Sequence, residues 1–126
     1  MTEEYKYFPS KNEKTPFELI RRANETGADY WSSRELARIL DYEQYRNFEA
    51  VIDKAKLACI NSGQKVDDHF GNITEMVVIG SGAKRPLRTI MLSRYACYLI
   101  VQNADPSKEI VAIGQTYFAI QTRRQE

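Results

Sequence analysis

A chain of 126 residues, 43% of them hydrophobic, can bury one core and has no length for a second domain. Its 18 Lys and Arg nearly cancel its 17 Asp and Glu, so net charge names neither nucleic acid nor membrane as a partner, and only local clustering can argue for a polyanion. No apolar run approaches the roughly 20 residues of a membrane-spanning helix, and the start MTEEYKYFPS lacks the basic and apolar regions of a signal peptide, which makes a cytoplasmic protein the expectation.

Residues 1–14 are polar apart from Tyr5, Tyr7 and Phe8 and predict a loose arm whose aromatics are available for docking. Thr15-Pro16-Phe17-Glu18 then supplies an N-cap, a proline at the first helical position and a capping-box glutamate. A helix is expected to about Thr26, stopped by Gly27 and buried along Phe17, Ile20 and Ala23. Ala28 to Trp31 reads as a short extended piece that delivers the sole tryptophan to the core.

Two helices follow between Tyr30 and Cys59. Ser32 or Ser33 caps the first, with Glu35 three places after Ser32, and Leu36, Ile39 and Leu40 form its buried side. Asp41 and Tyr42 break the pattern. The second helix buries Phe48, Val51, Ile52, Ala55 and Cys59 and turns Arg46, Glu49, Asp53, Lys54 and Lys56 to water. This is the outline of a helix-turn-helix, and equally that of a helical hairpin that only builds a core.

Asn61, Ser62 and Gly63 stop that helix, and residues 64–74 show no sustained period, so a surface loop is expected there. Met76–Ile79 and Leu87–Met91 read as strands flanking a long glycine-rich tip, Gly80 to Pro86. Ser93 caps a third long helix with Tyr95, Ala96, Leu99, Ile100 and Asn103 along one face, ending near Asn103. Asp105-Pro106 starts a last helix, with Ile110, Ile113, Tyr117 and Ile120 joined by Gly114 and Phe118 as its docking face. The chain stops at Arg123-Arg124-Gln125-Glu126 in helical pattern without a C-cap, so the natural protein is expected to continue.

Between Met76 and Ala104 there is no Asp or Glu, yet Lys84, Arg85, Arg88 and Arg94 lie there. Four cations on a hairpin and an adjacent helix start suit phosphates, and Gly80 and Gly82 allow close backbone approach. Basic hairpin tips also serve solubility. Gln44, Tyr45, Arg46 and Asn47 occupy the position of a base-reading helix start, where Arg, Asn and Gln suit guanine and adenine edges. Asp41, Glu43 and Glu49 around them would repel phosphate, and a plain solvated helix start fits too. Arg123 and Arg124 suit a helix C-terminus and could equally extend the basic surface.

Catalysis finds no motif. GSGAK lacks the spacing of a phosphate-binding loop, and His69 stands between Asp68 and Phe70 without a nucleophile signature. Cys59 and Cys97 sit in helical apolar patterns and read as buried reduced thiols, not a disulfide. With one histidine they make no zinc set, so neither metal nor cofactor is expected.

The stretches YWSSRELARILDYEQYRNFEAVIDKAKLAC and GSGAKRPLRTIMLSRYACYLIVQNADPSKEIVAIGQTYFAIQTRRQE resemble the DNA-damage-inducible protein D family of bacteria, from about Asp29 to Glu126. LSRYACYLIVQNADPSKE and AxGQTYFAIQTRR are the specific signatures. The first half is similar to the Bro-N domain of viral and phage proteins, a module found in antirepressor-like proteins. The resemblance implies an α+β fold, membership of the SOS response, modulation of the recombinase filament on single-stranded DNA, and a whole protein about twice this length. It brings no catalytic residues. Where related modules often place glycine after the first helix of the pair, this chain has Asp41, which tolerates the left-handed conformation less readily than glycine but better than most residues.

The expectation is therefore a non-enzymatic α+β domain, a helix-turn-helix-like pair with a small β-hairpin. It would act in the DNA-damage response by binding single- or double-stranded DNA or a DNA-bound recombinase. The alternative is a protein-interaction or antirepressor-like module acting on a repressor or recombinase without DNA contact. A homodimer through the apolar face of the last helix would accompany it.

Overall fold

The computed structural model describes residues 15–125, with side chains to Ile120, so the predicted N-terminal arm with Tyr5, Tyr7 and Phe8 and the side chains of Arg123 and Arg124 lie outside the described residues. The fold is α+β. In chain order it runs α1 (Pro16–Leu19), β1 (Arg22–Ala23), β2 (Asp29–Ser32), α2 (Ser33–Ile39), α3 (Tyr45–Asn61), α4 (Val66–His69), β3 (Phe70–Val78), β4 (Lys84–Leu92), α5 (Arg94–Asn103) and α6 (Glu109–Gln125). The strands form one antiparallel sheet in the order β1-β2-β4-β3.

The first helix is one turn long instead of reaching Thr26. Thr15 caps it as expected, its Oγ1 accepting the Glu18 N–H at 3.1 Å. Asn24, however, offers its side-chain oxygen to the N–H groups of Thr26 and Ala28, both at 3.0 Å, and this local bonding outcompetes helix. The result is a hairpin in which Gly27 sits at φ +85° and β1 pairs with β2, leaving Ala23 exposed rather than buried. Residues 64–74, expected as loop, hold α4 and the first half of β3. The alternation there is diluted because the outward residues Asn72 and Thr74 face water while Ile73 and Glu75 are half-buried.

Trp31 is fully buried, with its ring edge-on to Phe118 at 5.2 Å and its Nε1–H donated to the Phe17 carbonyl at 2.8 Å. Phe17 meets Phe118 at 5.4 Å, so one aromatic trio joins α1, β2 and α6. α5 is the central helix, packed between α3 and α6 and over the root of the sheet. Ser93 caps it through the Ala96 N–H at 3.0 Å. Its buried face is Ala96, Cys97, Ile100 and Val101, one position round from the expected face, with Asn103 exposed. Asp105 organises a turn through Ser107 rather than capping the helix, and α6 starts at Glu109. Val111, Gly114 and Phe118 bury its face against the core; a Cβ on Gly114 would lie 2.8 Å from Phe17 Cζ. The face offered for a homodimer is thus used within the chain, apart from Ile120, which is exposed.

The α2–α3 pair is as expected. Ser32 is the N-cap of α2, Leu36 and Leu40 are buried, and α3 buries Phe48, Ile52, Ala55 and Cys59; Lys56 is half-buried instead of fully solvated. Asp41 takes the left-handed conformation, φ 69°. Its N–H bonds the Arg38 carbonyl at 3.1 Å, and the Tyr42 N–H bonds the Ala37 carbonyl at 2.9 Å, the Schellman closure of a helix end. Lys108 Nζ seals this end from the turn before α6, 3.2 Å from the Asp41 carbonyl and 4.0 Å from the centre of the Tyr42 ring.

Cys59 and Cys97 are free and buried, and burial pushes both thiols up, Cys97 well above the ordinary range. Among the described residues no helix is long and apolar enough to cross a membrane.

Asp41→Gly removes the steric cost of a left-handed L-residue and a negative charge from a helix C-terminus, and should stabilise the chain by about 1 kcal/mol in urea denaturation. His69 packs its ring 5.0 Å from that of Tyr95 and holds Nδ1 2.7 Å from Ser93 Oγ; burial lowers its pKa from 6.5, with Asp68 pulling the other way. The unfolded chain then takes up this proton more readily than the folded one. Stability should be full above about pH 6.5 and fall as pH drops through the folded pKa, and His69→Gln should flatten that slope in urea melts between about pH 7.5 and pH 5.

Candidate nucleic-acid interface

The β3–β4 hairpin is the element the local charge singles out. It closes through Ile79 to Ala83: the Gly82 N–H bonds the Ile79 carbonyl at 2.8 Å, the Ile79 N–H bonds the Ala83 carbonyl at 2.9 Å, and Gly82 stands at φ +86°. The turn is therefore tighter than the expected seven-residue tip, and Lys84, Arg85 and Pro86 belong to the strand, opposite Val78, Val77 and Met76. β2 pairs with β4 only at Met91 and Leu92, so the outer part of the hairpin projects as a two-stranded ribbon.

Strand parity places the cations. Lys84 and Arg88 share one face of the ribbon with Met76 and Val78, while Arg85 lies on the other with Val77 and Glu75. Lys84, Arg85 and Arg88 are exposed, and among the described residues none enters an ion pair. The ribbon's one carboxylate is neutralised: Glu75 pairs with Arg22 at 2.6 Å, and Arg22 also meets Glu35 at 3.0 Å. Burial works against the Arg22 charge, but those carboxylates raise its pKa, so it stays a fixed cation.

The root of the ribbon is fastened to the helical pair by Ser33. Its Oγ accepts the Ile90 N–H at 2.9 Å and bonds Thr89 Oγ1 at 2.9 Å and Tyr45 OH at 2.5 Å. One donor and two acceptor sites are thereby all in use. Next to it Arg34 donates Nε–H to the Arg88 carbonyl at 2.8 Å and lies 4.0 Å over the Tyr45 ring. Arg88 and Ile90 turn these backbone groups to the outer edge of β4. By the same parity Pro86 points its missing N–H outward, where no ladder bond is lost.

The other sequence candidates are dispersed. Arg94 is not on the ribbon surface: its guanidinium is ion-paired with Asp29 and stacks 5.2 Å from the Trp31 ring, leaving the side chain 12% exposed. Tyr45 is half-buried and engaged by Ser33 and Arg34; burial raises its pKa. Gln44 and Asn47 line a groove of about 430 Å³ with Asp41, Tyr42, Glu43, Asp105 and Lys108, whose carboxylates disfavour phosphate. Arg46 is exposed on the first turn of α3. Sequence reasoning missed Arg34, which joins Arg88 to Tyr45 and so brings the ribbon beside the start of α3. Its signal, a cation one residue into a capped helix, is common to many solvated helices.

No group of three or more His, Cys, Asp or Glu able to hold a metal occurs among the described residues. His69, Glu18 and Tyr117 are each engaged structurally, Tyr117 OH donating to Glu18 Oε1. Burial raises the Tyr117 pKa further, and hydrogen bonds from Tyr117 and Arg21 more than offset burial to hold Glu18 low.

The sequence places this small α+β domain in a known family. Residues 19–119 match the BRO family, N-terminal domain, and the chain belongs to that family. It is also 60% identical over 111 residues to the DNA damage-inducible protein D of Escherichia coli (strain K12), a match covering 88% of this chain and 40% of that protein. The chain thus spans well under half the length of this curated relative. No solved structure matches it.

Ser33→Ala would leave the Ile90 N–H and the buried Thr89 hydroxyl short of partners, a cost of about 1–3 kcal/mol. Urea denaturation should show that loss, and amide exchange should show it concentrated at Ile90.

Proposed function

We propose that this domain is a non-catalytic, DNA-binding regulator of the bacterial DNA-damage response, gripping phosphates with Lys84, Arg85 and Arg88 on the ribbon and with Arg34 at its root. One observation carries the reading: three exposed cations, without carboxylate partners among the described residues, stand on a projecting two-stranded ribbon, in a segment from Met76 to Ala104 with no acidic residue. Such a ribbon has the width to enter a DNA groove. The name of the E. coli relative agrees with a role in the damage response. In this reading Arg94, Tyr45, Gln44 and Asn47 are supports or bystanders, Arg46 is a peripheral cation, and the domain works in the cytoplasm, where bacterial DNA lies.

A second reading has its own observation. Leu57 and Ile60 are exposed on α3, 58% and 57%, and suit a protein partner such as a recombinase or a repressor. That binding would need no DNA and would tolerate loss of the ribbon cations.

Fluorescence anisotropy of labelled DNA against salt separates the two. Phosphate-led binding weakens steeply as salt rises, and changing Lys84, Arg85 and Arg88 to alanine should weaken it at low salt and flatten the log–log slope by roughly three. Affinity indifferent to salt, or unchanged in the triple variant, would sink the proposal.

A further inference from the structure

Phosphate binding leaves the apolar half of the ribbon unexplained. Met76 is 60% exposed and Val78 67% at the outer end of β3, and Ile79 is 40% exposed where the turn begins. Met76 and Val78 stand directly across from Pro86 and Lys84, so with Arg88 they share one face, apolar along β3 and cationic along β4. From Glu75 and Leu87 outward, four residue pairs carry the ribbon about 10 Å before the turn begins, further than a DNA groove is deep.

What such a face can recognise is narrowed by what it lacks. Between Gly71 and Arg94 there is no aromatic residue, so the platforms on which unpaired bases stack are missing. Between Ile73 and Val101 there is no Asn or Gln, so the bidentate amide reading of adenine is absent from the ribbon, and base edges are left to its cations and short hydroxyls. Cations flanking exposed aliphatic side chains on a two-stranded ribbon fit a duplex whose phosphates are held at the rim while an apolar wedge parts a base step, opening a minor groove that is too narrow for the ribbon in straight DNA.

We infer that the ribbon is a wedge for double-stranded DNA: it enters the minor groove, Met76 and Val78 insert at a base step beside Ile79, Lys84 and Arg88 hold the flanking phosphates, and the duplex bends away. This deepens the proposed DNA binding and rests on it. Selection among sequences then follows the ease of unstacking a step and is weak otherwise.

A duplex of about 25 base pairs with a fluorophore at each end, and a second with 2-aminopurine at its central step, tests this on the chain carrying Met76→Ser and Val78→Ser beside the unchanged protein. Both positions are exposed, so the variant should melt as the parent does. The parent should raise end-to-end energy transfer, brighten 2-aminopurine and prefer duplex to single strand. The serine variant should bind duplex within about threefold of the parent, with the same salt slope, and lose both optical changes. Binding by the parent without bending, bending retained in the serine variant, or tighter binding to single strands each overturns the wedge while leaving ribbon-phosphate binding standing. No DNA binding at low salt overturns both.

Discussion

A single hydroxyl, that of Ser33, holds the two halves of this domain in register. It is the first residue of α2 and is buried, yet its three bonds reach the backbone of β4, a side chain of β4 and the start of α3. A buried hydroxyl with all three bonding sites filled has one favourable position, and moving either the ribbon or α3 empties one of them. Around it Ser32, Thr89, Glu75, Arg22 and Glu35 form a chain of polar contacts from β1 across the sheet to α2. The ribbon is therefore aimed by a polar network, while the body beneath is held by the apolar contacts of Trp31, Phe17 and Phe118.

That division explains where cations end up. Arg22, Arg21 and Arg94 lie against the body and each has a carboxylate: Arg22 has Glu75 and Glu35, Arg21 has Glu18 and Asp29, and Arg94 has Asp29. Arg94 must have one because it is largely buried, where a lone charge would be costly. Lys84, Arg85 and Arg88 stand on a two-stranded projection with water on both sides and need no partner to be stable there. The same local excess of positive charge was visible in the sequence, but which of its members remained available was decided by a contact between residues 29 and 94.

Legibility tracks the range of the interaction. The caps at Thr15, Ser32 and Ser93, the left-handed turn at Asp41 and the glycine-closed hairpin rest on neighbours within a few residues, and each is present. The first helix failed because Asn24 bonds its own backbone four residues on, an alternative that periodicity does not weigh. β1 is two residues long and owes its strand geometry to β2, and the inner half of β3 is too polar to alternate visibly. The buried face of α5 lies one position round from Tyr95, Leu99 and Asn103, because the centre of a helical layer favours compact side chains such as Cys97 and Val101. Arg34 carries no local signal, since its partners, Arg88 and Tyr45, come from two other elements.

The sole tryptophan has a practical consequence. Trp31 is sealed in the body, shielded from solvent and bonded to a backbone carbonyl, with the ribbon cations on another part of the surface. Its emission is a built-in reporter of the integrity of the body. A ligand held at the end of the ribbon leaves that emission nearly silent, whereas loosening of α1, β2 or α6 shifts it at once, so intrinsic fluorescence can separate an occupied domain from a damaged one without any label.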